Sequence, residues 1–163
     1  MVHRVATMFI ATALMISGVM CFSAVPSSVE DENWSEYNGH WYKVFYHAPT
    51  YDAAESSCQK KGGHLASIHS KDENLFVYGL ITTGKTSGDF HDFTWIGMRR
   101  YGESFDWKWT DGTAVEYFNW VGTEPNNYEG RERCVQFYTS HSIPGAWNDY
   151  YCTEKMDSYV CKV

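Results

Sequence analysis

Two short stretches of this 163-residue chain gather acids and amides beside cysteines. The first, "EPNNYEGRERC", ends at Cys134; the second, "WNDYYC", ends at Cys152. Together they offer carboxylates at Glu124, Glu132 and Asp149 and amide oxygens at Asn126 and Asn148. All five are hard oxygen donors, which suit calcium and not zinc or copper. Three negative charges against a dication leave about one excess negative charge. Calcium accepts about six to eight oxygens, so a carbonyl, waters or ligand hydroxyls could fill the remaining places. Any one of these acids alone reads as a solvated surface carboxylate; the combination is what carries information. Pro125 adds to it, because a cis Glu124–Pro125 bond, realistic only before proline, could turn Glu124 and Asn126 to the same side.

Clustered carboxylates also serve acid–base catalysis. No Gly-x-Ser-x-Gly or His-Glu-x-x-His motif accompanies them, and the histidines show no metal-ligand spacing. His64 in "GGHLAS" opens a strand and reads as structural or exposed. The chain is therefore expected not to be an enzyme. The net charge of −7, with no basic stripe, argues against a nucleic-acid partner.

The elements that must position these residues are legible in outline. "HWYKVFYH" alternates and is aromatic, so it predicts a strand. "TYDAAESSCQKKGG" predicts a helix capped by Thr50, with Ala53, Ala54 and Cys58 on one face and a stop at Gly62. "HLASI" predicts a short strand. "SKDENLFVYGLITTG" predicts a second helix, with Ser70 and Glu73 as a capping box and an apolar face of Leu75, Phe76, Tyr78 and Gly79 to Ile81. "FTWIGM" predicts a buried strand, and "CVQFY" and "SYVCKV" predict two more. Between Arg99 and Arg133 the pattern is irregular, and a stretch this long inside a domain is usually functional. The expected fold class is α+β: two early helices, short strands and one long working loop.

The start of the chain reads as a secretory signal peptide over residues 1–24. His3 and Arg4 form a basic head, an apolar run extends from Val5 to Phe22, and Ser23 and Ala24 form a small-residue exit. No later segment is apolar long enough to span a bilayer. Of the five cysteines, Cys21 lies in that leader. Cys58, Cys134, Cys152 and Cys161 remain, an even set that in a secreted domain implies two disulfides with three possible pairings. Residues 25–37 form a short polar lead containing the N-glycosylation acceptor Asn33, and the domain is expected over 38–163.

"HWYKVF", "WIGM", "EPN", "WND" and the four cysteines resemble the C-type lectin domain in its short form, over residues from about 38 to 163. The resemblance implies bridges Cys58–Cys161 and Cys134–Cys152. The first closes a long loop, worth about 4–5 kcal/mol in the chain-entropy view. The second would hold Glu132 and Asp149 near one another. The family's sugar-binding calcium site is matched residue by residue at Glu124, Asn126, Glu132, Asn148 and Asp149. In such sites two adjacent sugar hydroxyls reach the ion and also hydrogen-bond to the same carboxylates and amides. "EPN" implies equatorial 3- and 4-hydroxyls, as in mannose, glucose and N-acetylglucosamine, with fucose also admitted; "QPD" goes with galactose. The positions of a second calcium in some members resemble Arg100, Ser104, Asn127 and Arg133 here, so one Ca2+ is expected. Tyr128 stands where galactose-binding relatives often place a stacking aromatic. The expected function is secreted, calcium-dependent glycan binding of mannose type, with avidity requiring oligomers of the domain itself. The rival is a lectin-like domain that binds a protein or lipid partner without sugar.

Overall fold

A computed structural model describes residues 33–46, 50–83, 93–102, 104–138 and 144–163. The expected signal peptide lies outside the described residues. Asn38 and Gly39 both adopt positive φ, 49° and 80°, the left-handed pair that a two-residue hairpin turn requires. They join β1 (Ser35–Tyr37) to β2 (His40–Tyr46) in antiparallel register, Ser35 opposite Tyr42. β1 therefore forms within the segment expected as a polar lead, and the Asn-Gly pair was its signal.

Helix α1 (Tyr51–Gln59) buries Tyr51, Ala54 and Cys58, spaced three and four apart. Thr50 occupies the cap position, but its side chain makes no cap hydrogen bond; only its carbonyl is used, by the Ala54 N–H at 2.9 Å. The helix stops as expected where Gly62 turns to φ 87°. β3 (His64–Leu65) is only two residues long and pairs with β8 (Ser158–Lys162). Gly63 allows this approach, because a Cβ there would lie 2.1 Å from the Lys162 carbonyl oxygen.

Helix α2 (Lys71–Thr82) buries Ile81 of the expected face and packs Phe76, Tyr78 and Leu80 against the core, but turns Leu75 outward. Glu73, Asn74, Val77 and Ile81 are buried, whereas Leu75 is 42% exposed. The helical period, not hydrophobicity alone, selects the inward set. The capping box is half formed. Ser70 Oγ accepts from the Glu73 N–H at 3.1 Å, but the Glu73 carboxylate takes the His69 N–H at 2.7 Å instead of closing the box. Its other oxygen accepts from Lys162 Nζ at 2.8 Å and from the Tyr42 hydroxyl.

β4 (Thr94–Arg100), β5 (Trp107–Trp109), β6 (Cys134–Tyr138) and β7 (Ala146–Tyr150) complete one sheet of order β1-β2-β8-β4-β6-β7, with β3 on β8 and β5 on β4. β4 runs parallel to β8 and the other pairs are antiparallel. Both faces are covered, which explains the near-continuous apolar run of β4. Trp95, Cys134, Tyr159 and Cys161 face α1; Ile96, Met98, Val135, Phe137, Trp147 and Val160 pack with Val77 and Ile81 of α2. The disulfides are Cys58–Cys161, which ties α1 to β8, and Cys134–Cys152.

Glu73 generates a test. Burial alone would raise its carboxyl, but Lys162, Tyr42 and the His69 N–H outweigh burial and hold it below the ordinary carboxylate range. A lowered folded-state pKa adds stability above the unfolded value and loses it as pH falls through the folded value. Glu73→Gln is expected to cost about 3 kcal/mol at neutral pH, since it breaks a buried pair, and to flatten the acid loss of stability. Urea unfolding of both proteins at pH 7 and pH 3 checks this: the gap between them should narrow in acid.

Candidate functional site

The site is built on Trp147, which is fully buried in β7. Trp109, Tyr117 and Trp120 meet its ring edge-on at 5.8, 5.5 and 5.9 Å. Its backbone N–H donates to the Asn119 carbonyl at 2.7 Å, and its carbonyl accepts from the Val121 N–H at 2.9 Å. Residues 119–121 thus lie along β7 as a short parallel bridge. Three amide contacts lock the arrangement. The Trp147 indole donates to Asn74 Oδ1 at 2.8 Å, and Asn74 Nδ2 and Asn119 Nδ2 both donate to the Gly145 carbonyl, at 2.9 and 2.7 Å. The loop expected to be irregular is therefore anchored, and it also contains β5 and a 3-10 turn at Tyr128–Gly130.

From this anchor the chain reaches Glu124, whose N–H donates to Val121 at 2.9 Å. The Glu124–Pro125 bond is cis. Asn126 faces Glu124: its Nδ2 donates to Glu124 Oε1 at 2.9 Å and its N–H to Glu124 Oε2 at 3.0 Å. The fully buried Asp149 carboxylate accepts from the N–H groups of Asn126 and Asn127, each at 3.0 Å. Glu132, 4% exposed, accepts the Tyr128 N–H at 2.8 Å. The Cys134–Cys152 bridge, with Cα atoms 5.2 Å apart, and the β6–β7 pairing bring the Glu132 strand end beside Asp149.

Glu124, Asn126, Glu132 and Asp149 thus share one neighbourhood. Asn148 joins by chain adjacency alone, opposite Gln136 in the β6–β7 ladder; among the described residues no hydrogen bond ties its side chain to the other four. Burial, and then the Asp149 carboxylate, push the Glu124 carboxyl up despite the Asn126 N–H. Burial, followed by the like charges of Asp149 and Glu124, pushes Glu132 up despite the Tyr128 N–H. Like charges held together out of water are costly unless a cation joins them. Among the described residues no three acidic, histidine or cysteine side chains converge as a metal cluster by themselves. The amides are needed to complete a ligand set, and an all-oxygen set of acids and amides fits calcium.

The other expected positions are resolved in detail. Tyr128 is 61% exposed beside Glu132. Asn33 is exposed at the start of the described residues. At the second-ion positions, the buried Arg100 donates Nε and Nη2 to the Glu132 carbonyl at 3.1 and 2.8 Å, and Ser104 Oγ bonds Asp106 at 2.8 Å. Sequence reasoning missed the role of Arg100 and the supporting set Asn74, Asn119 and Trp147.

Comparison with known proteins agrees with this architecture. The Lectin C-type domain family matches residues 47–163. The "Alpha-N-acetylgalactosamine-specific lectin" of Patiria pectinifera is 39% identical over 139 residues, 80% of this chain and 77% of that protein. The versican core protein of Rattus norvegicus is 36% identical over 133 residues, which are 81% of this chain but 4% of versican. Among solved structures, the C-type lectin CEL-I of Cucumaria echinata superposes with a TM-score of 0.72 at 28% identity, covering 85% of this chain and 96% of that one. A calcium-independent type II antifreeze protein superposes with a TM-score of 0.67 at 32% identity, covering 80% and 90%. The fold is that of the C-type lectin domains among these relatives. The chain belongs to the C-type lectin domain family.

The anchor can be tested apart from any ligand. Asn74→Ala leaves the Trp147 indole N–H buried without its partner and removes one of the two donors to the Gly145 carbonyl, at an expected cost of about 1–3 kcal/mol. Hydrogen exchange should speed up at Val121 and Glu124 well before it does at β4. Uniform acceleration across the sheet would mean that Asn74 supports the whole core and not the loop.

Proposed function

We propose that this chain is a secreted, calcium-dependent carbohydrate-binding domain whose site is formed by Glu124, Asn126, Glu132, Asn148 and Asp149. The observation that carries this reading is the convergence of Glu124, Asn126 and Asp149 through shared N–H donors, with Glu132 close enough that, after burial, the Asp149 and Glu124 charges push its carboxyl up. The named lectins among the relatives support glycan recognition; the calcium-independent neighbour means that family membership alone does not decide the ion. When bound, calcium would neutralise the acids and supply a Lewis-acid contact to hydroxyl oxygens. The chain's own residues then set which sugar fits. In Glu124 and Asn126 the acid precedes the amide, fixing where a hydroxyl donates its hydrogen bond and where it accepts one. Two equatorial hydroxyls, as in mannose or N-acetylglucosamine, meet that order; an axial 4-hydroxyl does not. Hydrogen bonds to ionised carboxylates are the stronger class, so this order discriminates.

Among the described residues no helix is long and apolar enough to cross a membrane. Secretion rests on the leader read from the sequence. N-glycosylation at Asn33 is proposed on its sequon and exposure.

The test is retention on mannose-agarose in calcium with elution by a chelator, followed by inhibition with free mannose, galactose and N-acetylgalactosamine. The double variant Glu124→Gln with Asn126→Asp keeps the ligand charge and reverses its polarity. Preference is expected to move from mannose toward galactose, since a mismatched polar pair costs about 1–3 kcal/mol. The exposed Tyr128 ring is free to stack on the galactose face, adding about 0.5–1.5 kcal/mol. An unchanged mannose-to-galactose ratio would mean these two residues do not set specificity. Wild-type preference for N-acetylgalactosamine would remove the mannose reading and keep the lectin. Flow-through regardless of calcium would favour a protein or lipid partner.

A further inference from the structure

Arg100 is 4% exposed, yet its guanidinium spends both Nε and Nη2 on one backbone carbonyl, that of Glu132, at 3.1 and 2.8 Å. The rings of Phe105 and Trp107 lie against it at 4.9 and 5.7 Å, so its position is fixed by stacking as well as by hydrogen bonds. The Arg100 N–H donates to the Arg133 carbonyl at 3.0 Å, which docks the same segment on the end of β4. On its other side Glu132 is held through its carboxylate by Tyr128. A buried positive charge is costly, and a carbonyl oxygen alone is a weak return for it. The acid beside it is Glu132, whose ionised carboxylate its charge favours.

We propose that Arg100 is a resident counter-cation at the edge of the candidate site, holding the Glu132 segment in place when no ion is bound and weakening the site's affinity for calcium. This rests on the calcium reading given above. A fixed positive charge does two things with opposite signs. It offsets the Glu132 charge in the ion-free protein, so that segment stays docked on β4. It also opposes a second cation entering the same field. Screened nearly as in water over several ångströms, a unit charge opposing a dication is worth roughly threefold to tenfold in affinity. Arg100 is thus a positioning residue whose effect depends on its charge.

Two variants separate charge from packing. Arg100→Met keeps a long apolar stem and removes the charge; Arg100→Lys keeps the charge and loses the planar fork. The measurements are calcium calorimetry and thermal unfolding in chelator and in saturating calcium. Arg100→Met is expected to bind calcium about threefold to tenfold more tightly. Its Tm in chelator should fall by about 5 °C, with most of that loss recovered in calcium. Arg100→Lys should bind calcium within about twofold of wild type. An equal Tm loss in chelator and in calcium, with affinity unchanged or weakened in Arg100→Met, would make Arg100 a packing residue and overturn the inference while leaving the calcium reading intact. A wild-type protein that gives no calcium heat and the same Tm in both conditions would overturn both.

Discussion

Everything at the candidate site hangs from the seating of Trp147. Its ring is closed in by three other aromatic side chains, and its peptide group is bonded on both sides to the loop that leads to Glu124. The next two residues in β7 are Asn148 and Asp149. One buried indole therefore fixes two chain segments relative to each other, and those two segments carry four of the five candidate ligands. Burial of a side chain this large supplies the stability: its truncation would cost about 3–5 kcal/mol. The indole N–H on Asn74 fixes ring orientation, which apolar packing alone would leave less certain.

On this anchor the protein assembles charge that it would otherwise keep apart. Asp149 satisfies two backbone N–H groups and Glu132 a third, so the acids hold the turn over residues 126–128 in place. The turn bends through Asn127 in the left-handed region at φ 49°, a conformation asparagine tolerates better than most residues. Burial first, and then the charge of Asp149, raises the proton affinity of Glu124 and Glu132. Arg100 supplies opposing charge from the β4 side. The cost of gathering like charge here falls on the fold.

The acids and amides were legible because they sit in two short runs beside cysteines, and chemistry of this type is local in sequence. The sheet's apolar strands and both helices were legible for the same reason, through periodicity. What could not be read is long-range. Asn74 and Gly145 are 71 residues apart, and Asn74 and Trp147 are 73 apart, so nothing local marks Asn74 as more than a polar residue near a helix start. Ser70, three residues before Glu73, predicts a local cap; Lys162 and Tyr42, distant in sequence, draw its carboxylate inward. Leu75 was assigned inward on hydrophobicity, and the helical period turned it out. Arg100 was read as a charge unfit for an ion ligand, which says nothing of its hold on Glu132.

The central claim is that one divalent ion joins the acids that Trp147 and the Cys134–Cys152 bridge bring together. Calcium titration followed by two-dimensional amide NMR tests it most directly. Saturable shifts that fit one site are expected, concentrated at Asn126, Asn127, Tyr128, Glu132 and Asp149, with mannose then moving the same set and little of α1 or β2. Shifts centred elsewhere, or no response to calcium while mannose still binds, would contradict it.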